Sequence, residues 1–258
     1  MDTLLHDLRY AGRSLLRSPG FAAVAVLTLA LGIGINTTIF SVVNSILIRP
    51  FPQLRTEGLV QLRATRPAQG VDDGGITPAD LYDWREQTAS FEAIAGYGDD
   101  RRVLVAGGGD PEEVEAEAVT PDLFPLLGAR PAMGRLFLPE EGTPGRNQVA
   151  ILTHHMWERR FGSDPAVVGK TIRLDGVPHT VVGVMPPRFG FPDNQPLWVP
   201  MALRPGEGRG SHYLRAVARL RPGVTLEQAR AELAAVARRL EAQHPETNTG
   251  WSVAAHDF

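Results

Sequence analysis

The sequence predicts an α+β protein: one N-terminal transmembrane helix followed by a larger, water-soluble domain built in two parts. Three observations predict it. From Ser18 to Ile48 no side chain is charged, a run of 31 residues; at 1.5 Å per residue such a helix reaches roughly 46 Å, more than the roughly 30 Å hydrocarbon core of a bilayer. Past Pro50 the chain turns polar and mixes helical with strand periodicity. Between about residues 110 and 205 Pro, Gly and short strand patterns become denser, which marks two subdomains, either consecutive or one inserted into the other. With 43% hydrophobic and 21% charged residues, disorder, collagen and coiled coil are excluded as the overall class. A net charge of -3 does not offer the basic face that nucleic acid requires. The absence of cysteine excludes disulfide scaffolds, thiolate metal sites and cysteine nucleophiles.

In residues 1–19, Leu4, Leu5, Leu8, Leu15 and Leu16 fall on one helical face and Arg9, Arg13 and Arg17 on the other. That is a basic amphipathic helix, suited to lie among lipid headgroups with its leucines in lipid. Residues 20–49 are the expected membrane helix. Its first half, Phe21 to Leu31, is mostly Ala, Val and Leu and needs no partner in lipid. Its second half places Ala30, Gly34, Thr38, Ser41 and Ser45 in one small-residue stripe. Such a stripe lets helix backbones approach closely within a bilayer, so it wants neighbouring membrane helices. A cleaved signal peptide is the competing reading, with Ala30-Leu31-Gly32 as cleavage site. Apolar residues resume after Gly32 with Ile33, Ile35, Ile39 and Phe40, which favours an uncleaved span. Arginines flank the span on both sides, so charge counting does not orient it.

Residues 50–258 form the soluble domain. Thr77-Pro78-Ala79-Asp80 opens a helix, with a Thr cap, Pro in the first turn and an acid at the third position; Leu81, Trp84 and Phe91 give it a core face. Arg102 to Ala106 and Val114 to Val119 read as strands about the Gly107-Gly108-Gly109 turn, and Pro121 to Leu127 as a short helix. Gln148 to Leu152 is a strand running into a helix from Thr153 to Phe161. Lys170 to Leu174 and His179 to Met185 make a hairpin about Asp175-Gly176. Tyr213 to Leu220, the helix Thr225 to Gln243 and Trp251 to Ala255 form a β-α-β unit, the helix opened by a Thr225/Gln228 capping box.

Motifs that carry chemistry are absent or incomplete. Gly169-Lys170-Thr171 resembles the end of a phosphate-binding loop, but Asp164 stands where that loop needs a glycine, and a carboxylate repels phosphate. His154, His155 and Glu158 lack the four-residue histidine spacing of a zinc helix. His179, His212, His244 and His256 are scattered and read as surface or cap residues. Asp72-Asp73, Asp99-Asp100 and Glu140-Glu141 sit beside Gly or Pro and read as solvated turns without calcium-loop periodicity. No Gly-x-Ser-x-Gly elbow occurs. The expectation is a non-enzyme with no catalytic, cofactor or metal residues.

Several stretches together resemble a known family. Leu4-Leu5-His6-Asp7-Leu8-Arg9-Tyr10, Arg17-Ser18-Pro19-Gly20-Phe21 and Ala30-Leu31-Gly32-Ile33-Gly34-Ile35-Asn36 are similar to the first span of MacB/FtsX-type ABC-transporter permeases, the acidobacterial duplicated permeases above all. Val119-Thr120-Pro121-Asp122-Leu123-Phe124, Gly169-Lys170-Thr171-Ile172-Arg173-Leu174-Asp175-Gly176, Val181-Val182-Gly183-Val184-Met185-Pro186, Leu197-Trp198-Val199-Pro200 and Leu220-Arg221-Pro222-Gly223-Val224-Thr225 resemble its periplasmic core domain. The resemblance implies a protein of the bacterial inner membrane with a cytoplasmic N-terminus. Its periplasmic core domain would span residues 50–258, a porter-like part plus a part inserted at about 110–205. It also implies that ATP is hydrolysed by a separate or fused ABC ATPase and is not bound here, and that partners include membrane lipid, further membrane helices of the same permease and a second permease copy. Family permeases carry further spans after the core domain, so the expectation is a fragment or truncation of a longer permease. The alternative from another class is a self-sufficient membrane-anchored binding or sensor domain.

Overall fold

The computed structural model describes residues 19–43, 54–106, 110–193, 195–204, 206 and 208–258. The chain forms two compact units, Met1–Pro52 and Gln53–Phe258. In the first unit α1 (Pro19–Val43) is a continuous uncharged helix of 25 residues, with Val24, Leu27, Leu31 and Ile33 exposed. Among the described residues no helix is long and apolar enough to cross a membrane, so the structure does not show the expected span. The amphipathic helix with Arg9, Arg13 and Arg17 lies outside the described residues, as does Ser45.

In the second unit the chain begins with β1 (Leu59–Arg66), β2 (Val71–Gly74), α2 (Pro78–Gln87) and β3 (Phe91–Val105). It continues with β4 (Glu112–Val119), α3 (Leu123–Leu127), β5 (Met133–Gly134), β6 (Val149–Leu152), α4 (His154–Phe161), β7 (Thr171–Leu174), β8 (Val177–Val184) and β9 (Leu197–Pro200). It ends with β10 (Arg215–Leu220), α5 (Leu226–Gln243), α6 (Pro245–Asn248) and β11 (Ser252–Asp257). β1 runs antiparallel to both β10 and β11, and β10 antiparallel to β3. β10 and β11 are therefore parallel across β1, and β1 and β3 parallel across β10, which makes two interleaved split β-α-β units. Val60, Leu62, Leu81, Trp84, Leu233 and Val236 share the core of this half.

The chain between β3 and β10 builds the other half, extending the sheet in the order β3-β4-β9-β6-β8-β5. Its core joins Leu104, Ala116, Leu152, Met156, Ile172 and Leu197. Ala118 on β4 packs against both cores.

Local chemistry explains the elements that the sequence announces. Thr77, Thr153 and Thr225 each cap a helix by accepting a hydrogen bond from the N–H three residues on. In α5 the bond is reciprocal, because Gln228 Oε1 accepts from the Thr225 N–H at 2.9 Å. Thr225→Ala is expected to cost about 1 kcal/mol in urea unfolding of the domain, with Gln228→Ala giving a smaller loss of the same sign. Asp175 and Gly176 both have positive φ, at 52° and 78°, as a two-residue type I′ hairpin requires.

Some expectations are corrected. Phe91 opens β3 and does not continue the face of α2. Asp72-Asp73 lie in β2 and Asp99-Asp100 in β3, not in turns. In β3 the ladder places Asp99 opposite Glu117 and Asp100 opposite Ala116. Asp100 binds Arg102 at 2.7 Å and Asp99 binds Arg215 at 2.8 Å. Sheet pairing and ion pairs here outweigh the low strand preference of aspartate. Gly96 serves packing, since a Cβ there would lie 2.6 Å from Leu81 of α2. The Gly107-Gly108-Gly109 turn lies outside the described residues.

Candidate functional site

Of the expected small-residue stripe, Ala30 and Gly34 are described on α1, Ala30 exposed, and a Cβ at Gly34 would meet no other atom within 4 Å. Thr38 and Ser41 lie on the same helix by backbone; their side chains, with Ser45 and the basic face of Arg9, Arg13 and Arg17, lie outside the described residues.

The near-motifs have structural roles. Lys170 Nζ donates to Asp164 Oδ2 at 2.5 Å, so the residue standing in place of a loop glycine holds the lysine that phosphate would need. His154 lies 3.4 Å from Glu158 within the first turns of α4. His179, expected at the surface, is buried, because it occupies an inward-facing position of β8; its Nδ1 lies 3.0 Å from the Val177 carbonyl. His212 stacks on Trp251 at 3.9 Å, and burial lowers its pKa.

Two arrangements stand out in the second unit. The first grips the incoming segment. Arg219 of β10 is only 5% exposed, and its guanidinium donates to the carbonyls of Glu57, Arg55 (2.7 Å) and Leu126 (2.5 Å). The Arg55 N–H donates to Leu127 at 2.9 Å and the Leu220 N–H to Gly58 at 2.8 Å. Residues 55–58 are thus tied to β10 and α3 before β1 begins. Because β1 and β11 are antiparallel neighbours with Val60 opposite Asp257, the start of β1 lies beside the end of β11.

The second lies on the sheet face shared by β3, β4, β9 and β10. The connection from β8 to β9 crosses this face as a strap. The Phe189 ring packs on Trp198 at 5.7 Å and Phe191 on Tyr97 at 5.3 Å. Trp198 Nε1 donates to the Phe191 carbonyl at 3.1 Å, and the Phe258 ring lies 5.8 Å from that of Phe191. Arg215 binds Asp193 of the strap at 2.7 Å and Asp99 of β3 at 2.8 Å, with its guanidinium 4.9 Å from the Tyr97 ring centre. Beneath them lies Glu117 of β4, fully buried, with Arg215 Nη2 3.6 Å from Oε1. Beside the cluster an open cleft of about 470 Å³ is lined by Asp99, Asp100, Arg101, Glu115, Asp193 and Gln195. Sequence reasoning missed both arrangements; their arginines sit in an ordinary-looking strand, RAVARL.

Both arrangements are built from ion pairs, ring contacts and main-chain hydrogen bonds. Residues 22–236 match the family described as MacB-like periplasmic core domain. The chain is 31% identical over 104 residues to the macrolide export ATP-binding/permease protein MacB of Burkholderia thailandensis, covering 39% of this chain and 16% of that protein. It is 30% identical over 128 residues to its namesake in Burkholderia lata, covering 48% and 17%. The matched part is thus about one-sixth of these relatives' length. Among solved structures, a domain of a permease protein from Porphyromonas gingivalis superposes with TM-score 0.60 at 16% identity, over 79% of this chain and 91% of that one. The extracellular domain of the noncanonic ABC-type transporter YknZ from Gram-positive bacteria gives 0.56 at 14%, over 76% and 99%. The periplasmic region of MacB from Actinobacillus actinomycetemcomitans gives 0.55 at 14%, over 77% and 89%. These likenesses show the fold, and the family match covers most of the chain: it belongs to the MacB-like periplasmic core domain family, the extracytoplasmic part of MacB/FtsX-type ABC permeases.

Proposed function

We propose that the chain is the membrane-anchored N-terminal part of an ABC-transporter permease subunit. The helix of residues 20–49 crosses the inner membrane as a lever, from a cytoplasmic amphipathic helix at residues 1–19. The domain of residues 50–258, with about 110–205 as its inserted part, stands outside as a platform for substrate or partner. A separate or fused ATPase binds and hydrolyses ATP; this chain supplies no catalytic, cofactor or metal residue. The domain carries mechanical work from the helix to export or release of substrate, in a permease dimer.

The observation that carries this reading is the grip on residues 55–58. A lever is useful only if its displacement reaches the domain, and a flexible linker would absorb it. Here the incoming segment is held by the buried guanidinium of Arg219 and by backbone hydrogen bonds to two elements. The uncharged run Ser18 to Ile48, long enough to span a bilayer, and the exposed apolar side chains of α1 support the anchor.

The chain has no cysteine, so single-cysteine variants report without background. Ala166→Cys, at an exposed turn, is expected to react with a membrane-impermeant maleimide in spheroplasts before lysis. Gly34→Cys in the membrane-embedded protein is expected to crosslink to other membrane helices. Labelling at residue 166 only after lysis would overturn the orientation, and purely lipid-facing chemistry at residue 34 would overturn the packing role of the stripe.

A further inference from the structure

We propose that Glu117 is a proton-operated catch for the strap of residues 186–193: protonated, it leaves Arg215 free to hold Asp193 and keep the strap closed over the sheet; ionised, it draws Arg215 inward and releases the strap. The proposal concerns the domain alone and stands whether or not the chain takes part in transport.

The geometry sets up a competition. One guanidinium, that of Arg215, faces three carboxylates, with hydrogen-bonded contacts to Asp193 and Asp99 and a longer approach of 3.6 Å to Glu117. Asp99, Glu117 and Asp193 bring oxygens within 4.8 Å of one another. Asp99 lies directly opposite Glu117 in the β3–β4 ladder, a placement in which two like charges repel. Glu117 is fully buried, and among the described residues neither of its oxygens accepts a hydrogen bond. A buried carboxylate in that state must either keep its proton or capture a cation.

The charged and titratable groups around it come from each packed element. β3 contributes Tyr97, Asp99 and, farther off, Asp100; β10 contributes Arg215; the strap contributes Asp193. Arg63 of β1 acts on Tyr97 from beyond the ring. From β9 the facing residue is Trp198, which does not titrate. Burial raises the Glu117 carboxyl, Arg215 opposes the rise, and Asp99, Asp193 and Asp100 add to it, leaving it at about 8. The folded protein therefore keeps a proton that the unfolded chain, at the ordinary carboxyl value of 4.5, releases. This group's contribution to stability is full below about pH 4.5 and is lost as pH rises through about 8.

The strap is suited to respond. Its attachments to the sheet include the Phe191–Tyr97 contact, the Trp198 Nε1 bond and the Arg215–Asp193 pair; the last is the one that ionised Glu117 competes for. Phe191 also touches Phe258, the residue after β11.

The test is hydrogen exchange by mass spectrometry on the full chain in detergent, comparing wild type with Glu117→Gln at each pH so that intrinsic exchange cancels. At about pH 6 the two should protect residues 186–193 equally, and at about pH 8.5 wild type should exchange there at least about threefold faster than Glu117→Gln. Asp193→Asn, which removes the strap's end of the pair, should exchange fast at both pH values. Equal strap protection in wild type and Glu117→Gln at both pH values would overturn the proposal. So would pH-dependent strap protection surviving in Asp193→Asn. If millimolar Ca²⁺ restored wild-type protection at the higher pH and failed to do so in Asp99→Asn, the catch would be a cation site and the proton reading would be wrong.

Discussion

Arg219→Met is expected to destabilise the domain by about 3 kcal/mol and to loosen residues 54–58 first. The guanidinium is nearly inaccessible and donates to three main-chain carbonyls, from Arg55, Glu57 and Leu126. Methionine fills much of the same volume but donates nothing, so three buried or half-buried carbonyls lose a charged partner at once. Each hydrogen bond to a charged group contributes on the order of 1.5–3 kcal/mol. Water can reach the Arg55 and Glu57 carbonyls once the side chain is gone, which brings the expected loss below the plain sum. Burial already lowers the pKa of this arginine, with Arg55 lowering it further and Glu92 and Glu57 opposing; the three carbonyls are the hydrogen-bond partners that hold the ion in place. Arg219→Lys should recover only part of the loss, because an ammonium cannot span three carbonyls in fork geometry. Urea unfolding measures the loss, and amide exchange at residues 54–58 locates it. A loss below about 1 kcal/mol, with unchanged exchange there, would show that the grip is ornamental.

Trp198→Ala is expected to cost about 4 kcal/mol, near the upper end for a single side chain. Trp198 is fully buried, meets Phe124 edge-on at 5.5 Å and Phe189 at 5.7 Å, and donates to the Phe191 carbonyl. Truncation leaves a cavity between β9 and α3, and it removes one attachment of the strap. Against a total folding free energy of about 5–15 kcal/mol, a loss of that size is a large fraction of the domain's stability. Trp198→Phe keeps most of the apolar surface and drops the hydrogen bond, so a loss of about 1–2 kcal/mol is expected. Urea unfolding of both variants separates packing from hydrogen bonding. Equal losses would mean that the strap bond dominates, contrary to this expectation.

Helices with a local signature were legible in the sequence. Thr77, Thr153 and Thr225 sit three residues from the N–H they accept from, so cap and helix start are written in one short stretch. The Asp175-Gly176 hairpin is local for the same reason. The first ten residues of β3 were not legible, since FEAIAGYGDD carries glycines and acids that disfavour strands in isolation. It becomes a strand because β10 lines one edge of it and β4 the other.

By itself, the sequence determined the uncharged N-terminal run, the capped helices, the tight hairpin, the family and the lack of a catalytic motif. All of these depend on residues near one another in the chain or on composition. The tertiary structure alone decided that Arg219 reaches Arg55 and that Glu117 lies beneath Arg215 and Asp193. Those contacts join residues up to 164 positions apart. A strand position shows which face a side chain occupies, but the charge or carbonyl it meets there depends on which strands become neighbours, and that is settled only when the whole sheet forms.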